Sequence, residues 1–423
     1  MISCDDFNGD GIKDLATANQ YLGSISIFIG NGSGNFLVDS NYVNNLGPNC
    51  LTISDFNGDG NKDIITANVW DYSLSVYLGN GLGKFNSPNN IYLLPIPNNG
   101  ESWSIMCSDI NNDGKMDIVV GSTIPNFSYI SVLFGDGIGG FSSPMNINVG
   151  SFPYSITVAD FNGDGNNDIG FVERNLDKIG ILLGNGLGGF SAPTDFSVGD
   201  NPYSITNGDF NSDNILDLAV VNSNSNNVSI LIGDGLGGFS TSNNYSVGPV
   251  PSSVFCSDLN NDGKLDLAIT NSYIVNTISV LLGDGNGTFA SAINIPTGPG
   301  PNSIVCADFN GDNKNDMATA DLQQDSNKVS ILLNLTPTFL NNSLIVNEIN
   351  IIPNPNNGIF IIETLKPINN VKIDVLSATG DILYYKYYNN DKIKLDLSNM
   401  SNGIYFIKIK YGNKVVIKKI TKE

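Results

Sequence analysis

The chain contains no histidine. That absence removes His-ligated zinc, imidazole general bases and Ser-His-Asp catalysis together, so any chemistry would have to run on carboxylates or tyrosines. Positive charge is also scarce: 20 Lys plus Arg face 41 Asp plus Glu, a formal net charge of −21. The deficit is uneven. Residues 1–340 hold 9 basic and 34 acidic side chains and residues 341–423 hold 11 and 7, so a large acidic region at −25 precedes a small basic one at +4. Phosphate contacts need clustered Lys and Arg, so no nucleic-acid partner is expected, and divalent cations become the natural counter-ions. There is no run of about 18 apolar residues, hence no candidate membrane span. The start, Met1-Ile2-Ser3-Cys4, lacks the charged and apolar regions of a secretory leader. Cysteine is sparse, and four of the five (Cys4, Cys107, Cys256, Cys306) stand two residues before a recurring Asp. Equivalent positions in separate repeats seldom come within bonding distance, so these read as small buried hydrophobes and not as disulfides.

What is present is repetition. A nine-residue signature, Asp-x-Asn-x-Asp-(Gly/Asn)-x-x-Asp, begins at Asp6, Asp55, Asp109, Asp160, Asp209, Asp258 and Asp308, at intervals of 49 to 54 residues. Before each signature the residues alternate, as in Tyr154-Ser155-Ile156-Thr157-Val158, and read as strand 1. After it comes an apolar run such as Leu218-Ala219-Val220-Val221, strand 2. A third alternating segment, for instance Val228-Ser229-Ile230-Leu231, leads into Gly233-Asp234-Gly235-Leu236-Gly237-Gly238-Phe239; such Asp-Gly and Asn-Gly turns supply the positive φ of a tight hairpin into strand 4. Four antiparallel strands per period, seven times over, predict an all-β fold, a seven-bladed β-propeller, more readily than a β-solenoid, whose repeats are shorter. The first period starts just before its signature and the seventh stops after Ile331-Leu332-Leu333. We therefore expect an N-terminally incomplete first blade, with the closing strand and a signal peptide belonging to a stretch before Met1.

Three carboxylates within nine residues repel one another unless a cation neutralises them, and Ca²⁺ takes oxygens from positions 1, 3, 5, 7 (backbone carbonyl) and 9 of such a loop, with Gly at position 6. The expected ligands are Asp6, Asn8, Asp10, Ile12 and Asp14 in the first repeat, and Asp55, Asn57, Asp59, Asn61 and Asp63 in the second. The third offers Asp109, Asn111, Asp113, Lys115 and Asp117; the fourth Asp160, Asn162, Asp164, Asn166 and Asp168; the fifth Asp209, Asn211, Asp213, Ile215 and Asp217. The sixth offers Asp258, Asn260, Asp262, Lys264 and Asp266, and the seventh Asp308, Asn310, Asp312, Lys314 and Asp316, for up to seven Ca²⁺ ions. Asn214 and Asn313 replace the position-6 Gly, and Asn tolerates the left-handed conformation best after Gly, so both loops should survive. An EF-hand would need an acidic residue at position 12 and a following helix; position 12 of the first loop is Thr17 and a β-type run follows. With Asn at position 3 the affinity should be that of extracellular modules, about 10⁻⁴ to 10⁻³ M.

The Asp-Phe-Asn-Gly-Asp-Gly-x-x-Asp-Leu repeats with Gly-Asn-Gly-x-Gly-x-Phe turns resemble the FG-GAP/VCBS repeats, similar to the calcium-binding blades of integrin α subunits, over residues 1–335. The resemblance implies a structural calcium in each loop between strands 1 and 2, on one face of a propeller. The opposite face would carry the variable loops, with Tyr21, Trp70, Tyr72, Trp103, Phe127, Tyr129, Phe152, Tyr154, Tyr203 and Tyr273 as candidate contacts; Trp103, Tyr154 and Tyr203, which adjoin strand 1, could equally pack between blades.

After a linker at 336–344, residues 345–423 read as short alternating strands between Pro, Asn and Gly turns, a small C-terminal β-sandwich. Their ordered motifs, Ile351-Ile352-Pro353-Asn354-Pro355 onward, Leu376-Ser377-Ala378-Thr379-Gly380, Leu395-Asp396-Leu397-Ser398-Asn399-Met400 and Gly403-Ile404-Tyr405-Phe406-Ile407, resemble the type A C-terminal sorting domain of the type IX secretion system of Bacteroidota. That resemblance implies the secretion machinery as a partner and an extracellular or outer-membrane-surface location. The expected function is binding or adhesion toward an extracellular protein or glycan, not enzymatic. Alternatives are a carbohydrate-binding lectin, disfavoured by loops of unequal length, and a polysaccharide-degrading enzyme, for which Glu173-Arg174 is the one unusual charged pair; its simplest reading is an exposed loop pair.

Overall fold

The structure, a computed structural model, describes residues 1–44, 46–93, 100–272, 274–321 and 328–334 and, beyond them, 349–352, 359–364, 371–377, 382–388, 392–411 and 414–422. Tyr273, the expected linker 336–344 and the Pro353-Asn354-Pro355 motif lie outside the described residues. The chain divides into two compact units, Met1–Thr338 and Phe339–Glu423. Apart from one short 3₁₀ turn at Gln20–Leu22, the described elements are strands.

In the first unit the strands pair antiparallel in chain order. The first sheet holds Ile2–Asp5, Asp14–Asn19, Ser24–Gly30 and Phe36–Val43. Five more four-stranded sheets follow, with first strands at Pro48–Ser54, Glu101–Ser108, Pro153–Ala159, Pro202–Gly208 and Pro251–Ser257. The last described sheet has three strands, Pro301–Ala307, Asp316–Asp321 and Lys328–Leu332. The shortfall expected in the first repeat is not found there; among the described residues it is the last sheet that has three strands. Ile2–Asp5 is short, but it pairs in register from Ile2 opposite Thr17 to Asp5 opposite Asp14, which is enough to complete the first sheet.

Second strands such as Asp217–Asn222 are buried along their whole length, because each is covered on both faces by neighbouring sheets. Fourth strands alternate with solvent, as in Met145–Val149, because they form the outer edge. Apolar clusters fill the space between successive sheets: Leu51 and Ile64 meet Ala16 and Ile27, and Val254 and Ile269 meet Val221 and Ile230. The series closes on itself, since Ile2, Leu15 and Phe28 of the first sheet share a cluster with Val305, Phe309 and Ala318 of the last, and Ile2 N donates to Ser303 Oγ at 3.3 Å.

Between most neighbouring sheets a recurring aromatic contact accompanies this burial. The Phe at position 2 of a signature meets, edge to face, the Phe that ends the hairpin turn of the next sheet: Phe7–Phe85, Phe56–Phe141, Phe161–Phe239 and Phe210–Phe289, with centroids 5.5 to 5.9 Å apart. Phe309 of the last sheet makes the same contact with Phe36 of the first, at 5.5 Å. The five cysteines are free, and burial pushes the Cys50 thiol up to about 12, as suits a small core group.

The second unit holds a three-stranded sheet, Ile349–Ile352, Ile359–Thr364 and Lys392–Asp396, and a four-stranded one ordered Ile382–Tyr388, Val371–Leu376, Gly403–Tyr411, Lys414–Lys422. Both contribute to one buried cluster that includes Phe360, Ile393, Val375, Ile407 and Ile420.

Truncating Phe210, which is buried against Phe289, should destabilise the first unit by about 3–5 kcal/mol, measured by urea unfolding of Phe210→Ala.

Candidate functional site

Each signature forms the loop between the first and second strands of its sheet. In the second repeat Asp55 Oδ1 accepts the N–H groups of Gly58 (2.7 Å) and Asp59 (3.2 Å), and Oδ2 accepts that of Gly60 (2.8 Å). Asn57 Oδ1 accepts Asp59 N at 2.9 Å, and Asp59 Oδ1 accepts Asn61 N at 2.8 Å. The bond from position 6 to the position-1 carboxylate recurs in the other six loops, from Gly11, Gly114, Gly165, Asn214, Gly263 and Asn313. Position 6 has φ of +85° at Gly60, and Asn214 and Asn313 hold +66° and +60°. The two Asn substitutions thus preserve the turn, as their tolerance of this conformation predicts.

The position-9 carboxylates do more than the sequence reading assigned to them. Asp63 is fully buried; its Oδ2 accepts Phe56 N at 2.9 Å and its Oδ1 accepts Gly79 N at 2.7 Å. Gly79 stands two residues beyond the third strand, Ser73–Tyr77, so one side chain ties the start of the loop to the segment that leaves that strand. Asp14, Asp117, Asp168, Asp217 and Asp266 bond in the same way to Gly30, Gly135, Gly184, Gly233 and Gly283. The last repeat, where no such Gly follows, uses Asn334 N on Asp316 Oδ1 at 2.6 Å. Glycine is required at the strand end because a Cβ at Gly79 would stand 2.1 Å from the carbonyl oxygen of Lys62. Desolvation, opposed by these backbone bonds and reinforced by repulsion from positions 5 and 1, raises the pKa of all seven, and that of Asp266 to about 6.

Every expected ligand in these loops presents oxygen and none presents nitrogen or sulfur as a donor, which suits a hard cation such as Ca²⁺. Each position-9 oxygen accepts one N–H, which leaves a lone pair on each. In the third and seventh loops Lys115 and Lys314 sit 3.7 Å from the carboxylates of Asp113 and Asp312 and partly offset their charge. Among the described residues no three such side chains converge into a preassembled metal cluster.

The antiparallel pairing of Pro153 with Glu173 and of Ala159 with Asp168 puts the starts of first strands and the ends of second strands opposite the loops. Of the aromatic candidates at that end, Tyr21, Trp70 and Phe127 are exposed and Phe127 stacks on Tyr129, while Tyr72 is buried with its hydroxyl 2.9 Å from Ser122 Oγ. Trp103, Phe152, Tyr154 and Tyr203 form one half-buried group. Glu173-Arg174 is not the exposed pair that its sequence suggested. Glu173 is only 2% exposed and accepts Ser151 N at 3.3 Å; burial raises its pKa, helped by the charge of Asp195. Strand alternation sends the two side chains to opposite sides, and Arg174 joins the aromatic group.

A ring of repeated antiparallel sheets, closed by its last sheet on its first and bearing an acidic loop of the same design on each, defines the propeller class of repeat protein. The FG-GAP-like repeat family matches residues 6–66, 55–120, 209–269 and 258–319, more than half of the chain, and the chain belongs to that family. Residues 350–423 match the secretion system C-terminal sorting domain. No curated protein matches the chain. Among solved structures it is similar to a putative 6-phosphogluconolactonase from Bacteroides fragilis (16% identity, TM-score 0.52, covering 90% of this chain and 94% of that one). It is also similar to a functionally unknown protein from Desulfotomaculum acetoxidans (12%, 0.53, 90% and 98%). A third is a lectin of Agrocybe aegerita described as recognising non-reducing terminal N-acetylglucosamine (17%, 0.50, 70% and 79%). At these identities the likeness speaks for the fold alone.

In the presence of a chelator, Asp63→Ala should cost about 2–5 kcal/mol, because it strands two N–H groups, whereas Asp59→Ala, on the exposed side of the same loop, should cost less than about 1 kcal/mol. Denaturant unfolding compares them. The raised pKa of Asp266 means that its stabilising contribution is complete below about pH 4 and is lost as the pH rises through about 6. In calcium-free buffer the wild type should therefore gain about 2 kcal/mol on Asp266→Asn as the pH falls from 7 to 4, read from paired melts.

Proposed function

We propose that this chain is a secreted binding or adhesion protein whose first unit is a seven-bladed propeller stiffened by calcium. Its second unit, read as a small β-sandwich, delivers it to the type IX secretion machinery and so to the cell surface or medium. The observation that carries this reading is the asymmetry of the ring. One end bears seven loops of one design with oxygen donors only, and the other bears side chains that differ from sheet to sheet.

In each loop the carboxylates at positions 1, 5 and 9, the amide oxygen at position 3 and the carbonyl at position 7 would hold the ion: Asp55, Asp59, Asp63, Asn57 and Asn61 in the second repeat. Bound calcium supplies positive charge against three mutually repelling carboxylates. The loop residues themselves already orient one another through the Asx bonds, so the ion meets a partly organised ligand set. Because position 9 also anchors the third strand, neutralising the loop strengthens the sheet. We favour binding over catalysis because the one buried carboxylate outside the loops beside the aromatic group, Glu173, serves a backbone N–H.

Millimolar calcium should raise the melting temperature of the full chain, with up to seven ions counted by native mass spectrometry; no shift and no bound ion would return the loops to plain turns. Deleting residues 350–423 should leave the protein in the periplasm of an expressing strain with a type IX apparatus, followed by fractionation and immunoblot.

A further inference from the structure

Arg174 is the single arginine of the chain, and it lies in the strongly acidic region. It follows the second strand of the fourth sheet, at the end opposite the acidic loops. Its guanidinium carbon lies 4.7 Å from the ring centroid of Tyr154 and 4.9 Å from that of Tyr203, and the two phenol oxygens are 2.6 Å apart. Nε donates to Asn201 Oδ1 at 2.8 Å, which fixes the plane of the group. Arginine has five N–H donors, and the four on the Nη nitrogens have no protein acceptor among the described residues. No carboxylate there pairs with it either: Glu173 is turned into the sheet, and Asp177 accepts Asn201 N. A cation held against two tyrosine rings and half-buried, in a region of net charge −25, with its fork unpaired, is a receptor for an anion.

The surroundings narrow the anion. Trp103 stacks on Tyr154 at 4.9 Å and 24°, and the ring of Phe152 lies 5.7 Å from Trp103, so aromatic surface adjoins the fork. Trp103 Nε1 has no hydrogen-bond partner and is itself shielded from solvent. Phe152 holds φ at +44°, a conformation that a bulky residue rarely adopts. Among the described residues the arrangement occurs once. The positions equivalent to Tyr154 in other repeats are Asn49, Ser252 and Asn302, and only the third, fourth and fifth sheets supply aromatic residues. One cation amid excess negative charge accepts one anionic group and repels a polyanion, which disfavours nucleic acids and acidic peptide runs.

We propose that Arg174, Trp103, Phe152, Tyr154 and Tyr203 form a binding site for a sugar bearing a single carboxylate, of the uronic-acid type. The Nη fork takes the planar carboxylate in a bidentate contact, and the aromatic group receives the apolar face of the sugar ring. This deepens the reading of the chain as a binding module and rests on it.

The test is calorimetric titration of the full chain with methyl glucuronide, with methyl glucoside as its uncharged counterpart, and with a short peptide whose C-terminus is its only carboxylate. Each is run in millimolar calcium and in chelator, beside melting curves. The uronide should bind at least ~10-fold tighter than the glucoside, and Arg174→Gln should remove that preference. Arg174→Lys, which keeps the charge without the fork, should lose most of it, and Trp103→Leu should weaken both sugars. If Arg174→Gln lowers the melting temperature, Arg174→Lys at unchanged melting temperature answers the same question. Equal binding of the two sugars, an uronide preference that survives both arginine variants, or binding of the peptide alone overturns the assignment. A chain that melts higher with calcium yet binds neither sugar loses this site and keeps the module reading. A chain that binds the uronide with no calcium response loses the metal reading and keeps the site.

Discussion

The fold depends on a buried carboxylate that accepts two backbone N–H groups from different parts of its repeat. Asp63 joins Phe56, where the loop begins, to Gly79, just beyond the third strand, and its counterparts make the like link in each of the other repeats. Burying an anion is costly unless hydrogen bonds replace water, and here both oxygens are served. The same bonds explain the glycine at the strand end, where the carbonyl of the loop comes too close for any Cβ. One side chain therefore ties the start of the loop to the onset of the hairpin turn.

That hairpin turn is what each sheet offers to its neighbour. Gly83 N donates to Phe7 O at 2.9 Å and Gly139 N to Phe56 O at 3.1 Å, beside the paired aromatic rings. Gly34 N reaches Phe309 O in the same way, so the contact that joins successive sheets also joins the last to the first. In the seventh sheet the Asn334 side chain donates to Leu259 O at 2.6 Å, a bond of the same kind. The acidic loops and the contacts between sheets are thus one structure, and a change in loop charge acts on ring cohesion directly.

Regularity at one end frees the other. With register and closure handled by the loops and turns, residues at the starts of first strands carry little of the structural burden and can differ: Trp103, Tyr154 and Tyr203 stand where Asn49, Ser252 and Asn302 stand elsewhere. The fourth sheet departs furthest. Glu173 replaces the Asn that in the first, second, fifth and sixth sheets bonds to a third-strand Ser, Gly180 replaces that Ser, and the ring of Phe171 fills the space left over Gly180. These linked changes deliver Arg174 to the aromatic group.

The sequence alone disclosed the strand count per repeat, the loops and the position-6 substitutions, because each rests on local rules: alternation, Asx turns and the conformational freedom of Gly and Asn. It also marked the C-terminal motifs. It could not show that position 9 anchors a distant strand, because Asp63 and Gly79 look unrelated until the sheet brings them together. Nor could it show that Ile2–Asp5 pairs and completes the first sheet, or reveal that Glu173 is buried while Arg174 lies over two tyrosines. Local sequence determines what each segment is; only the packed sheets decide which side chains lose water, and burial is what turns a run of ordinary polar residues into anchors and a candidate receptor.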